Sequence, residues 1–297
     1  MDIRLTQDEI VLQRSVREFL EGQCPTTLVR ELQKPESSGH SPELWKQLAD
    51  LGWLGLAFPE EYGGGGASLF ELGLVYEEAG RVLLPTTFYS TVFAGLLIQE
   101  LGAEEQRQAY LPRIVSGDMI GTVALSEPAA LYDTRFFETQ ATDQGNGAWL
   151  LSGAKAFVPN AHLADPIIVI ARTSNGPADK GLTAFLVSPT AAGVTITPQA
   201  TFDKSKQSVV RFQDVALDAN GVLGCEVGVG TAGAALTSVL QKVTALQCME
   251  MVGGAQAVLD RTVDYVKTRV QFGRPIGSFQ AVHHHIPNMS TQLDGAR

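Results

Sequence analysis

The residues best suited to chemistry here are three consecutive histidines, His283 to His285, a glycine run, Gly63 to Gly66, and the adjacent carboxylates Glu60-Glu61, Glu77-Glu78 and Glu104-Glu105. Imidazoles hold metals, glycine-rich turns cradle phosphates and paired carboxylates do acid and base work, so each is tested by its spacing. Consecutive helical side chains fan out by about 100°, so three histidines in a row do not converge on one ion. The glycine run has no strand leading in and no Gly-Lys-Ser/Thr after it, which excludes a nucleotide-binding loop and leaves a turn between helices. The carboxylate pairs point in different directions on a helix and read as solvated faces or caps. No Ser-His-Asp or Cys-His order stands out.

Composition narrows the classes further. Cys24, Cys225 and Cys248 are far apart and odd in number, which argues against a disulfide framework or a cysteine zinc site and for reduced thiols in a cytoplasmic protein. Lys plus Arg number 22 against 32 Asp plus Glu, a net charge of −10, so neither nucleic acid nor an anionic membrane surface has general electrostatic support. An anionic ligand would need local cations. Met1-Asp2-Ile3-Arg4-Leu5 is no basic-then-apolar leader, and no apolar stretch approaches the roughly 20 residues that span a bilayer.

The elements that must position any site follow from period and punctuation. Thr6 with Glu9 forms a capping-box signature ahead of Ile10, Leu12, Val16, Phe19 and Leu20, predicting a helix from residue 6 or 7. Ser41-Pro42-Glu43 opens a second, carrying Leu44, Trp45, Leu48 and Leu51 up to Gly52. Further helices are expected over 68–80, 88–101 and 103–115. From about 119 the pattern turns to strands, expected at 119–125, 148–152, 166–171, 182–187, 194–197 and 208–215 and separated by turns such as Gln144-Gly145-Asn146-Gly147. After Gly230 a long helix is expected over 232–268. The fold class is α+β and multidomain: a helical N-terminal domain (1–118), a middle antiparallel β domain (119–221) and a helical C-terminal domain (222–297).

Trp45 to Gly66 and Glu71 to Arg81 resemble the N-terminal helical domain of the acyl-CoA dehydrogenase family. Tyr110-Leu111-Pro112 and Ser116-Gly117-Asp118 continue the likeness into Ala124-Leu125-Ser126-Glu127-Pro128, which is similar to the family's flavin-facing strand. Gly153 to Ala161 resembles its second flavin strand, and Arg269-Val270-Gln271-Phe272-Gly273-Arg274-Pro275-Ile276 with Phe279-Gln280 resembles its C-terminal signature.

The resemblance implies FAD, an acyl-CoA substrate, an electron acceptor such as electron-transfer flavoprotein, and a second subunit, the same or paralogous, completing the flavin site. In that chemistry a carboxylate takes the α-proton while the β-hydrogen leaves as hydride to the flavin, and donors to the thioester carbonyl stabilise the enolate. Leu125 and Ser126 are implied at the flavin pyrimidine edge, with Ser126 where threonine is usual. Phe157 takes the place of a tryptophan against the ring. Arg269, Gln271, Phe272 and Gln280 are implied to reach the FAD of a neighbouring subunit, so Arg269 is expected at a subunit boundary.

Four departures stand out. Pro159 replaces a threonine whose hydroxyl and amide serve the flavin, and proline has neither donor. Leu131 and Tyr132 bring bulk where the CoA arm would approach, marking Tyr132 as a substrate contact. Val243 and Thr244 stand at an alternative base position, the nearest acid along that helix being Glu250, about 10 Å on; the catalytic residue is left unassigned. The family's closing helices and more usual base position lie beyond Arg297, so the C-terminal domain is incomplete relative to the family, and Pro287 predicts a kink or an early stop. The expected function is FAD-dependent α,β-dehydrogenation of an acyl-CoA. The alternatives are a non-catalytic or half-site subunit of a heteromeric dehydrogenase, and a flavin monooxygenase or nitroalkane oxidase on the same fold.

Overall fold

The first helix starts where Thr6 and Glu9 satisfy each other's backbone: the Glu9 amide donates to Thr6 Oγ1 at 3.3 Å and the Thr6 amide to Glu9 Oε2 at 2.6 Å. The computed structural model describes residues 5–85, 87–129, 133–174 and 180–297. Its helices in the first part of the chain are α1 (Gln7–Gln23), α2 (Thr26–Leu32), α3 (Pro42–Asp50), α4 (Leu69–Val82), α5 (Thr87–Leu101) and α6 (Glu104–Val115). The strands β1 (Thr122–Ala124), β2 (Gln140–Gly145), β3 (Ala148–Pro159), β4 (Ile167–Arg172), β5 (Leu182–Val187), β6 (Val194–Gln199) and β7 (Gln207–Leu217) follow. Then come α7 (Cys225–Gly228), the long α8 (Ala232–Thr268), a hairpin of β8 (Val270–Gln271) and β9 (Arg274–Pro275), α9 (Gln280–His283) and α10 (His285–Ala296). No helix among the described residues is long and apolar enough to cross a membrane.

The chain forms two compact units. One gathers residues 1–29, 68–84 and 244–297; the other holds 30–67 and 85–243. In the second unit the seven-stranded sheet runs β1-β4-β2-β3-β7-β6, with β5 paired to β4. Most pairings are antiparallel as expected, but β2 meets β4 in parallel at Gln140 and Arg172, and β1 lies parallel to β4, with Thr122 opposite Ile167. The long excursion through β2 and β3 between them gives the chain room for the crossover that a parallel pair requires. The core beneath is apolar and fully buried, with Leu151, Val169, Phe185, Val210 and Phe212 in one cluster. Trp149 meets Phe185 edge-on at 5.8 Å between centroids. Gln106 of α6 ties this region together, accepting from the Gly224 amide at 2.8 Å and donating to the Val222 carbonyl at 2.8 Å.

The glycine run is the turn expected. Amides of Gly65 and Gly66 donate to the carbonyls of Gly55 and Phe58 at 3.0 and 2.9 Å. A Cβ at Gly64 would overlap the Phe58 carbonyl, so the close approach requires glycine there.

In the first unit, α4 and α8 cross at glycines: a Cβ at Gly80 would overlap the Glu250 carbonyl, and one at Gly253 would overlap that of Glu77. Here the reading of Glu77-Glu78 as a solvated pair is corrected, since the two are 3% and 1% exposed. Arginine partners compensate the burial. Arg17 grips Glu78 with two bonds of 2.7 and 2.8 Å, and Arg297 reaches Glu77 at 2.7 Å. Glu60, Glu61, Glu104 and Glu105 are exposed as expected. Pro287 falls in the first turn of α10, where its missing amide is tolerated, and the break at His284 sits where a continuing helix would collide with its ring. All three histidines are exposed, and no cluster able to hold a metal occurs among the described residues. The cysteines are free, and burial pushes the Cys24 thiol up to about 11.

Candidate cofactor and active site

Two strands of the second unit build the candidate flavin surface. β1 ends at Ala124, and the chain continues through Leu125 and Ser126, 5% and 2% exposed. β3 runs alongside: the Ala156 amide donates to the Ser126 carbonyl at 2.8 Å, and Thr122 Oγ1 donates to the Pro159 carbonyl at 2.5 Å. These bonds bring Leu125, Ser126, Phe157 and Pro159 onto neighbouring stretches. A bulge between Lys155 and Val158 re-aims the strand, and Phe157 takes a left-handed φ of 54°, a conformation costly for a bulky side chain. The Phe157 amide is held by Gln199 Oε1 at 3.2 Å, and the residue is left 39% exposed. Pro159 faces Gln207 on β7.

Under this surface lies an ion pair that the sequence motifs did not single out. Lys155, fully buried, donates to Glu127 Oε1 at 2.7 Å and to the Leu125 carbonyl at 3.1 Å, with its ammonium 3.9 Å from the Phe137 ring centroid. Glu127 also accepts from the amides of Glu138 at 2.6 Å and Thr139 at 3.1 Å. Burial lowers the Lys155 pKa to about 8 against the pull of Glu127. Burial opposes the charge on Glu127, yet Lys155 and the two amides outweigh it and hold the carboxyl below its ordinary value. Lys155 holds the Leu125 carbonyl and Glu127 the amides of Glu138 and Thr139, so the pair ties these backbone stretches together. A lysine amid apolar β3 neighbours is the one sequence signal that could have drawn notice.

The other expected cofactor residues lie in the first unit. β8 and β9 form a hairpin whose two-residue turn, Phe272-Gly273, has φ of 52° and 77°, the left-handed pair such turns require. Phe272 is 92% exposed and meets Phe279 edge-on at 6.0 Å between centroids, while Arg274 stacks over Phe279 at 4.3 Å. Arg269, Gln271 and Gln280 are exposed, so Arg269 is not packed inside its own chain. Leu131 and Tyr132, expected near the CoA arm, lie outside the described residues. Val243 is buried in α8, and Glu250 is half-buried, its carboxyl raised by burial.

FAD is tested against one observation above all. The Ser126 hydroxyl is buried with no hydrogen-bond partner among the described residues, a costly state for a polar group that a ligand's polar edge would relieve. With the exposed Phe157 face, the surface fits an aromatic ring bearing hydrogen-bonding edges; Pro159 contributes no donor to it.

Residues 6–118, 122–215 and 233–297 match the N-terminal, middle and C-terminal domains of acyl-CoA dehydrogenases. The chain is similar to acyl-CoA dehydrogenase FadE12 of Mycobacterium tuberculosis, 33% identical over 90% of this chain and 69% of that protein. It superposes on butyryl-CoA dehydrogenase from Megasphaera elsdenii with a TM-score of 0.89 at 28% identity, covering 99% of this chain and 78% of that one. Against the ChsE4-ChsE5 complex of Mycobacterium tuberculosis the TM-score is 0.86 at 29% identity, over 99% of this chain and 76% of that one. Domain matches along the chain and this likeness show that it belongs to the acyl-CoA dehydrogenase family, FAD-dependent oxidoreductases that act on CH–CH bonds.

Proposed function

We propose that this chain carries out FAD-dependent α,β-dehydrogenation of an acyl-CoA thioester. The observation that carries this reading is the unpartnered, buried Ser126 hydroxyl beside the exposed ring of Phe157. Leu125 and Ser126 would meet one edge of the flavin and Phe157 its face, while Arg269, Gln271, Phe272 and Gln280 would extend to the FAD of a second subunit. When bound, FAD supplies the hydride-accepting chemistry. The Lys155–Glu127 pair holds the strand ends that carry these contacts, and the bulge at Phe157 keeps the aromatic face outward. The reaction also needs a carboxylate for the α-proton.

The visible spectrum of the purified protein tests this directly. Bound flavin that bleaches on anaerobic addition of an acyl-CoA supports the reading; failure to bleach with a panel of chain lengths counts against it. Ser126→Ala sharpens the test. Without cofactor the variant is expected to match the parent or gain up to about 1 kcal/mol, since an unsatisfied hydroxyl is gone, while FAD affinity falls roughly five- to tenfold. Equal FAD affinity in the two proteins would remove the hydroxyl from the cofactor site.

A second reading is a half-site subunit that lends its arm to a partner's flavin. Two observations favour it: Pro159 offers no backbone donor at the ring surface, and Val243 carries no acid on α8. The likeness to the ChsE4-ChsE5 complex adds a two-protein precedent. Phe272→Asp tests the shared arm that both readings use. It is expected to lower the ratio of flavin to protein at least tenfold and to shift light scattering toward single chains; unchanged values in a flavin-loaded parent would dismiss the shared arm.

A further inference from the structure

A cavity of about 800 Å³ opens in the second unit, within the usual size range of small-molecule sites, about 300 to 1,000 Å³. Its walls come from three segments: the stretch after Arg30, the turn at His162, and the connection from β6 to β7. They are stitched together. Lys206 Nζ donates to the Lys34 carbonyl at 2.5 Å, His162 Nε2 lies 2.8 Å from the Ser38 carbonyl oxygen, and the Asn160 amide donates to the Lys206 carbonyl at 2.8 Å. Gly39, at φ 76°, leaves room for the Lys206 stem to lie against it.

The charge of this cavity runs against the rest of the chain. In a protein of net charge −10 its lining carries Arg30, Lys34, Lys204 and Lys206 against one carboxylate, Glu36. Lys34 is partly matched by Glu31 at 2.6 Å, but Arg30 and Lys204 make no ion pair among the described residues. Like charges gathered in a concave, low-dielectric wall repel one another and focus their field outward, an arrangement that favours a multiply charged anion. A single carboxylate would leave most of this charge unmatched, whereas phosphate oxygens accept from several Lys and Arg donors at once. The Ser37 hydroxyl adds a donor, while that of Ser205 is engaged with Asp203 at 2.9 Å, and Pro35 and Pro198 give apolar wall for a sugar or base.

We propose that this cavity binds a phosphorylated small molecule of nucleotide size, at a site that adjoins the FAD surface through Gln199, which holds the Phe157 amide, and Gln207, which pairs with Pro159. The test is calorimetric titration of the FAD-loaded protein with ADP at low salt, repeated with Arg30→Ala/Lys204→Ala. The parent is expected to bind one ADP with an affinity that falls as salt rises, and the double variant to bind at least tenfold more weakly with an unchanged melting curve. Flavin bleaching by acyl-CoA is expected to be the same in both proteins. Absence of saturable binding, or ADP bound equally by parent and variant and therefore seated elsewhere, overturns the assignment.

Discussion

Lys155→Met is expected to lower the unfolding free energy by about 3 to 5 kcal/mol, the usual cost of leaving one member of a buried ion pair without its partner. The stranded group would be Glu127, 2% exposed, which keeps only its two backbone donors from Glu138 and Thr139. Chemical denaturation of parent and variant measures the loss, and a change under about 1 kcal/mol would show the pair to be dispensable. Adding Glu127→Leu should recover only part of the stability. It removes the lone charge but orphans the amides of Glu138 and Thr139, and in the single variant the Leu125 carbonyl has already lost the Lys155 donor. The acid limb carries a sign that can be checked. Because the folded protein holds Glu127 below its ordinary value of 4.5, the contribution is fully present above about pH 4.5 and is lost as pH falls through the lower folded value. The variant should therefore lose less stability than the parent between pH 5 and the acid transition, although its stability at neutral pH is lower.

Gly253→Ala comes second, at about 2 to 3 kcal/mol. The added methyl has no rotamer that escapes: it would overlap a backbone carbonyl, that of Glu77, so α4 and α8 must separate. Separation also strains the bond of Arg81 to Asp260, at 2.9 Å, which joins the same helices, and the bridge that Arg297 makes between Glu77 of α4 at 2.7 Å and Gln256 of α8 at 3.2 Å. Gly22→Ala in α1 is the control, because a Cβ there meets nothing within 4 Å. It should be neutral or stabilising by up to about 1 kcal/mol. Thermal melts of the two variants decide the matter: if Gly253→Ala matches Gly22→Ala, the helices are not packed at the glycine.

The sequence disclosed the elements that carry local signals. Thr6 and Glu9 announced α1, Ser41 and Pro42 announced α3, and β5 coincides with its apolar run over 182–187. β2 escaped because Gln140 to Gly145 carries a single buried apolar residue, Ala141, too little for an alternating pattern to show. β3 joins the run expected at 148–152 to most of the stretch from Gly153 that only the resemblance marks as a flavin strand; Gly153, at φ 144°, lies close against Thr139, where a Cβ would not fit. The short α2 carries one buried residue, Val29, too little for any period to show.

At the candidate site the exposed ring positions were legible by resemblance, whereas the supporting pair was not. Glu127 and Lys155 are separated by 28 residues, and only the register of two strands brings them together. The same holds for Glu77 and Glu78. Their burial depends on Arg17, 61 residues away from Glu78, and Arg297, 220 residues away from Glu77, and no local pattern encodes such a partnership.

The glycine-lined crossing of α4 with α8 also dictates an order of assembly. The unit containing it draws on residues 1–29, 68–84 and 244–297, so α1 and α4 leave the ribosome long before α8 can cover them. Contacts this remote close slowly, because chain entropy is spent before any contact repays it. The strand-bearing unit draws on residues 30–67 and 85–243, all made before 244–297, while α1 and α4 wait for α8 during synthesis. The nascent chain thus has a window of vulnerability to aggregation that the finished protein does not, and it closes only when the last segment has been made.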